Sequence, residues 1–305
     1  MTVQEPRLRI LGSGSTGNGA ILDLHDATGR VRHLLIDLGL GPRTLQRRAE
    51  DCGHAFDPKA VVGVVVTHAD QDHLRPTWSR TLRERGWPVH ALPSHHPAMA
   101  RAGVPSDSLR ALPDGGRLTS IAPNAELGVD VTAVIAPHDD HGTAALRFNI
   151  SGVHRPSSLG WATDLGRATP GVGDLLLGCD TIAIESNYDP ELQAASDRPP
   201  YLKNRITGGH GHLSNRECLD AIVATTGGLI PNAVVLLHLS RDCNHPELVH
   251  RLWRGRAPHL HSTLHIAHHA RPLEAIPLRP AISIEREPRA EASPTAGEPT
   301  PSLFG

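Results

Sequence analysis

Residues 67–73 read THADQDH and follow directly on the apolar run AVVGVVV (60–66). Two imidazoles and two carboxylates crowded at the end of a buried strand are costly unless something neutralises them. A bound cation is the usual compensator, and His with Asp is a donor set suited to transition metals. Three more apolar runs end in the same manner. VTAVIA (131–136) reaches His138 after one proline, SLGWAT (158–163) reaches Asp164, and AVVLL (233–237) reaches His238. In layered α/β folds the strand ends along one sheet edge converge, so groups placed there share a site. A single histidine such as His138 is as readily a buried ring bonded to a carbonyl; the fourfold repetition is what argues for metal.

His68, Asp70, Asp72, His73, His138, Asp164 and His238 give seven candidate ligands, too many for one tetrahedral zinc. Two ions roughly 3.5–4 Å apart, sharing a bridging carboxylate, would use all of them, hold a hydroxide and clamp a carbonyl or phosphoryl centre. Hydrolysis is the reaction class that follows.

The elements that must carry these tips can be read from periodicity and turn residues. LRILG (8–12) reads as a first strand, followed by the glycine-rich GSGSTGNG (12–19). Segments 20–25 and 31–39 form a hairpin around the turn ATG (27–29), and a helix occupies 42–51. Beyond the strand 60–66, a helix is expected from about His73 to Arg85, stopping near Gly86 and Pro88. Strands recur at 131–136, 144–150, 158–163, 181–185 and 233–239, with helices at 214–225 and 246–253. Hairpins mixed with strand–helix alternation define an α/β protein with mixed sheets. GSGSTGNG lacks the P-loop lysine and is a weak phosphate-cradle signal. A domain is expected over 1–284, with the Pro-, Glu- and Ala-rich segment 285–305 as a disordered tail.

With 305 residues, formal charge −2, 39% hydrophobic and 20% charged residues, the composition is globular. Net charge so near zero leaves no overall footprint for polyanion binding. The clusters Arg43/Arg47/Arg48 and Arg75/Arg80/Arg83/Arg85 read equally as local basic patches or solvated helix faces. No secretory signal and no apolar run of the ~18 residues needed to span a membrane is visible. Four scattered cysteines without a C-x-x-C pair suggest reduced thiols in a cytoplasmic protein.

The motifs, in this order, resemble those of the metallo-β-lactamase-fold hydrolases. THADQDH is similar to their T-H-x-H-x-D-H motif, with His138, Asp164 and His238 at the later positions. The branch most resembled is that of the YycJ-like exonucleases, related to the tRNA 3′-processing ribonucleases. The resemblance runs through LGSGSTGNG, LLIDLG (34–39), LGWATDLG (159–166), IESNYD (184–189), PPYLKNRITGGHGHLSN (199–215) and HLSRDCNHPEL (238–248). It implies an αββα sandwich of two mixed β-sheets flanked by helices, with the site along one edge. One metal would take His68, Asp70 and His138, the other Asp72, His73 and His238, with Asp164 between them. Asp72 would orient the attacking hydroxide, and His212 would protonate the leaving oxygen.

The residues around His212 support a phosphate site on their own account. Ser214 and Glu217 form a capping box, so a helix begins just after His212, and helix N-termini favour anions. Ser214 and Asn215, with Lys203 and Arg205 from YLKNRI, are the candidate substrate contacts. Two departures matter. Asp70 replaces the second motif histidine, giving three Asp and four His, which moves preference from zinc towards manganese, with iron also accommodated. Tyr188 stands where the branch usually has histidine. The five histidines of HLHSTLHIAHHA (259–270) read as a polar-edged strand and turn beyond the catalytic unit rather than as an accessory metal site. The expectation is a metal-dependent phosphodiesterase or nuclease acting on DNA or RNA with two divalent ions, Zn²⁺ or Mn²⁺. Its rivals are a small-molecule hydrolase for a cyclic phosphate, lactone or thioester, and a silent binding protein.

Overall fold

The strands of this protein are apolar on both faces, and each face finds a partner. A computed structural model describes residues 5–26, 28–121, 127–152 and 155–283; the expected tail 285–305 and Ala27 of the first turn lie outside them. The first part of the chain runs β1 (Arg7–Gly12), β2 (Gly19–His25), β3 (Val31–Ile36), α1 (Pro42–Asp51), β4 (Val61–Val65), α2 (Ser79–Arg85), β5 (Val89–Ala91), α3 (His96–Arg101) and β6 (Leu109–Ala111). Next come β7 (Thr119–Ser120), β8 (Leu127–Ala136), β9 (Thr143–Gly152), β10 (Ser157–Ala162), α4 (Pro170–Leu176), β11 (Thr181–Glu185), α5 (Pro190–Ala195), α6 (Pro200–Thr207) and α7 (Asn215–Thr225). The described chain ends with β12 (Leu229–Ile230), β13 (Ala233–Leu237), α8 (Pro246–Arg256), α9 (Pro258–His261), β14 (Leu264–Ile266), β15 (Ile276–Pro277) and β16 (Ile282–Ser283).

Two seven-stranded sheets result, ordered β15-β1-β2-β3-β4-β5-β6 and β14-β13-β11-β10-β9-β8-β7, with a small β12–β16 pair beside them. Both are mixed. β1, β2 and β3 pair antiparallel, then β3 to β6 run parallel. In the second sheet β8, β9 and β10 are antiparallel, and β10, β11, β13 and β14 parallel. The facing sheets bury Leu22, Leu34 and Ile36 against Leu146, Phe148 and Trp161. Leu45, Trp78, Leu82 and Met99 cover the outer face of the first sheet, and Val172, Leu219, Val249 and Trp253 that of the second. The layering is helix–sheet–sheet–helix, the αββα sandwich of the sequence reading.

Three local expectations are corrected. The helix placed from His73 begins only at Ser79, because His73 and Leu74 hydrogen-bond back to the Asp70 carbonyl and Leu74 bridges to Leu38. Pro76, one turn on, starts a short 3₁₀ segment instead. The strands expected over 31–39 and 233–239 stop at Ile36 and Leu237, since Asp37 and His238 adopt positive φ. Finally, 259–270 is built into the sandwich. It supplies α9 and the edge strand β14, and its His268 carbonyl accepts from Ser13 N at 3.2 Å. No helix among the described residues is long and apolar enough to cross a membrane, and all four cysteines are free thiols.

Candidate metal centre

The topology brings one end of six strands to a common edge. β3 delivers Asp37, β4 Thr67 and His68, β8 His138, β10 Asp164, β11 Glu185 and β13 His238. Among the described residues only Asp37, Asp139, Asp164 and His238 are non-glycines with positive φ, at 59°, 40°, 55° and 55°. Asp37 and His238 stand directly beyond a strand end, Asp164 one residue further on from β10, and Asp139 beside His138. Left-handed backbone costs about 1–3 kcal/mol per residue and persists where the surroundings fix it. Here it turns each chain sharply and aims the side chain along the edge.

Two donor triads result. His68, Asp70 and His138 place ligand atoms within 4.8 Å of one another, and so do Asp72, His73 and His238. Asp164 reaches both sides: one oxygen lies 2.8 Å from His73 Nε2, the other 3.3 Å from His238 Nδ1, and it groups with His68 and His73 as well. The His68 and His138 rings are 5.2 Å apart, His68 and His73 4.1 Å, His73 and His238 6.3 Å. Six of these seven side chains are largely withdrawn from water; Asp70, 57% exposed, is the one that faces solvent.

A second layer fixes the rings by their Nδ1 atoms, leaving Nε2 for the cleft. His73 donates to Asp37 at 2.8 Å, His138 to the Gly211 carbonyl at 3.0 Å, and His238 to Glu185 at 3.0 Å. His68 Nδ1 lies 3.1 Å from the Thr67 hydroxyl, which itself donates to Asp37. The glycine-rich segment braces this layer. Ser13 Oγ accepts from His238 N, and Asn18 N donates to the Asp72 carbonyl. A Cβ on Gly39 would lie 1.6 Å from that carbonyl, so only glycine fits there. Asp37 and Glu185, both wholly buried, are the residues that the sequence reading missed as part of the site. Their signal was present, since LLID and TIAIE are two further apolar runs closed by an acid.

The field at the centre favours cations. Burial pushes the His73 pKa down, but Asp37 and Asp164 more than reverse this and hold it well above the usual range. His238 is raised to about 10 in the same way, against its burial, by Asp164, Asp72 and Glu185. Asp164 is held well below the carboxylate range by His238 and His73 despite complete burial. His238 Nε2 is buried without a hydrogen-bond partner, 3.7 Å from Asp72 Oδ2. An orphaned imidazole nitrogen beside a carboxylate is a costly arrangement for a protein core; His54 Nε2, 3.4 Å from Asp23, shares it, so it is the number of carboxylates gathered around His73 and His238 that makes this donor set suit the metals that the sequence implies.

The cleft over the centre has a volume of about 470 Å³ and is lined by His68, Asp70, Asp72, His138, Asp164, His212, His238 and Arg205 among others. Glu185 accepts from His212 Nδ1 at 2.8 Å, leaving Nε2 as the nitrogen able to deliver a proton. Of the four expected substrate contacts, only Arg205 lines the cleft, where it pairs with Asp139 through both carboxylate oxygens. Lys203 turns away and donates to the Ala194 carbonyl at 2.7 Å. Ser214 caps α7 by accepting from Glu217 N, and Asn215 is buried against Ser186 and Asn244. The α7 N-terminus is no open anion site, because the N–H groups of Leu213, Ser214 and Asn215 already bond Glu185, Glu217 and the Tyr188 carbonyl. Tyr188 packs with Ile206 and Cys243, and burial pushes its phenol up to about 12.

A second cluster of the same residue types lies away from this edge. Asp23 and His33 face each other across β2 and β3, with His54 packed beside them. Arg9 donates to Asp23 Oδ2 at 2.7 Å, and His33 Nδ1 to Oδ1 at 2.9 Å.

An αββα sandwich with this edge constellation is the architecture of a metal-dependent hydrolase. The chain belongs to the beta-lactamase superfamily, whose domain model matches residues 32–239, and is a hydrolase of the metallo-β-lactamase fold. It is 25% identical over 244 residues to the exodeoxyribonuclease WalJ of Streptococcus pneumoniae, covering 79% of this chain and 84% of that protein. Zn²⁺-bound PqqB from Methylobacterium extorquens shares the fold at TM-score 0.59 and 16% identity, covering 88% of this chain and 99% of PqqB. The short form of human tRNase Z does so at 0.54 and 14%, covering 89% and 100%.

Proposed function

We propose that the protein is a two-metal phosphodiesterase acting on nucleic acid, with DNA as the first substrate to test. The observation that carries this reading is the pair of donor triads sharing Asp164, with His212 held on the rim by Glu185. The distant likeness to an exodeoxyribonuclease supports the substrate class. His68, Asp70 and His138 would hold one ion, Asp72, His73 and His238 the other, and Asp164 both. Bound divalent ions supply Lewis acidity towards phosphoryl oxygens and make water nucleophilic at neutral pH.

The protein's own groups do the rest. Asp72, a quarter exposed beside His238, accepts a hydrogen bond from the attacking water and orients it. His212 hands the Nε2 proton to the departing sugar oxygen, and the buried Glu185 carboxylate stabilises the ring while it carries charge. Arg205, locked by Asp139, presents a fixed guanidinium to the phosphate. The extra carboxylate at Asp70 favours manganese over zinc.

The test is cleavage of an end-labelled strand with Mn²⁺ or Zn²⁺. Asp72→Ala and His212→Ala are each expected to lower turnover by about two to four orders of magnitude with the fold intact by circular dichroism. Wild-type rates in both variants would overturn the assignment.

A further inference from the structure

The metal cleft does not end at its rim. Leu239, Ser240 and Arg241 line it and also line a second, larger groove of about 780 Å³, which runs on across α8, β14 and the segment to Leu273. The two differ in charge. Five aspartates line the cleft: Asp70, Asp72, Asp139, Asp164 and Asp242. No acidic residue lines the groove among the described residues; its charged side chains are Arg241 and Arg271, both exposed. Neither guanidinium pairs with a carboxylate among the described residues. Arg48 Nη1 donates to the His269 carbonyl at 3.1 Å, and burial, then Arg241, Arg48 and Arg271, depress the His269 pKa. His269 stacks on His268, with centroids 4.2 Å apart and planes 29° from parallel. Leu264, Ile266 and Leu273 line the same groove with apolar surface.

Unneutralised arginines beside stacked rings and apolar surface are the combination that holds an unpaired nucleic-acid strand. The cations follow the phosphates, and flat faces accept bases without regard to sequence. A duplex buries its bases and would leave the apolar surface unused; a small diester would not reach past Arg241. We propose that this groove carries the single strand flanking the bond to be cleaved, on the wall formed by Arg241, His269 and Arg271. The proposal rests on the phosphodiesterase reading of the cleft and assigns that site an extended, single-stranded substrate.

Arg271→Glu and His269→Ala test it, since both lie in the groove and outside the cleft lining. Two probes are used with Mn²⁺: a labelled single strand of about twelve nucleotides and bis(p-nitrophenyl) phosphate. Arg271→Glu is expected to raise KM for the strand about tenfold and to reduce the slope of log affinity against log salt by about one. His269→Ala should raise KM by a smaller factor, and the small diester should be hydrolysed by both variants as by wild type. A strand KM and salt slope equal to wild type, with cleavage continuing, would overturn the groove. Equal affinity for a blunt duplex would overturn its single-strand character. If wild type cleaves neither probe, the reading of the cleft has failed. Strand binding by fluorescence anisotropy then still decides the groove, with unchanged affinity of Arg271→Glu counting against it.

Discussion

Two clusters in this molecule use the same side chains to different ends. At the strand-end edge, five histidines, His212 included, share space with Asp37, Asp70, Asp72, Asp164 and Glu185, an excess of negative charge, and among the described residues no arginine or lysine is bonded to those acids. Between β2, β3 and the loop after α1, Asp23 meets His33 and His54, and Arg9 already supplies the cation at 2.7 Å. The first cluster is mounted on residues with left-handed backbone and opens to a cleft. The second sits on regular paired strand, at the register position Asp23↔His33, and is closed. Residue type alone therefore does not make a metal centre. On the proposed reading, surplus negative charge and delivery from strand ends separate a centre that calls for ions from a buried network in which Arg9 already neutralises the carboxylate.

Breaking the first cluster should have the largest effect. Asp164→Ala removes the one donor common to both triads; turnover is expected to fall by about a thousandfold or more, with metal content by plasma mass spectrometry dropping well below that of wild type. Glu185→Gln leaves every proposed ligand in place but weakens the hold on His238 and His212. A loss of about 10–100-fold in metal affinity is expected, measured by chelator competition.

The second cluster should respond in the opposite sense. Asp23→Asn is expected to cost about 1–3 kcal/mol of stability by urea denaturation, because Arg9 and His33 lose a charged acceptor. Metal content should stay at the wild-type level. A fall in bound metal would erase the distinction between the clusters.

Acid offers the gentlest probe. Burial lowers the His54 and His90 pKa values to about 4, against about 6.5 in an unfolded chain. Both rings are neutral in the fold, so their contribution is complete above about 6.5 and is lost progressively as pH falls towards about 4, where the folded rings also protonate. The urea midpoint should decline across that window, and His54→Gln should flatten the decline.

Much of the candidate centre is legible in the sequence because polar tips on apolar runs show there directly. The same rule reaches Asp37 and Glu185, which end LLID and TIAIE, once it is applied to acids lying outside the histidine-rich motif. Left-handed backbone at His238 carries no sequence signal, and that conformation ended β13 two residues early. Lys203 and Arg205 illustrate a different limit. Two positions apart on α6 they point to different sides, so one reaches the cleft and the other caps the Ala194 carbonyl. The helix expected from His73 failed because hydrophobic periodicity cannot reveal that the Asp70 carbonyl captures the next turn.

The most direct test of the central claim is anomalous diffraction from crystals soaked in manganese. Two peaks roughly 3.5–4 Å apart are expected, one among His68, Asp70 and His138 and one among Asp72, His73 and His238, with Asp164 touching both. A lone peak at that edge, or density at Asp23, His33 and His54 instead, would contradict that claim.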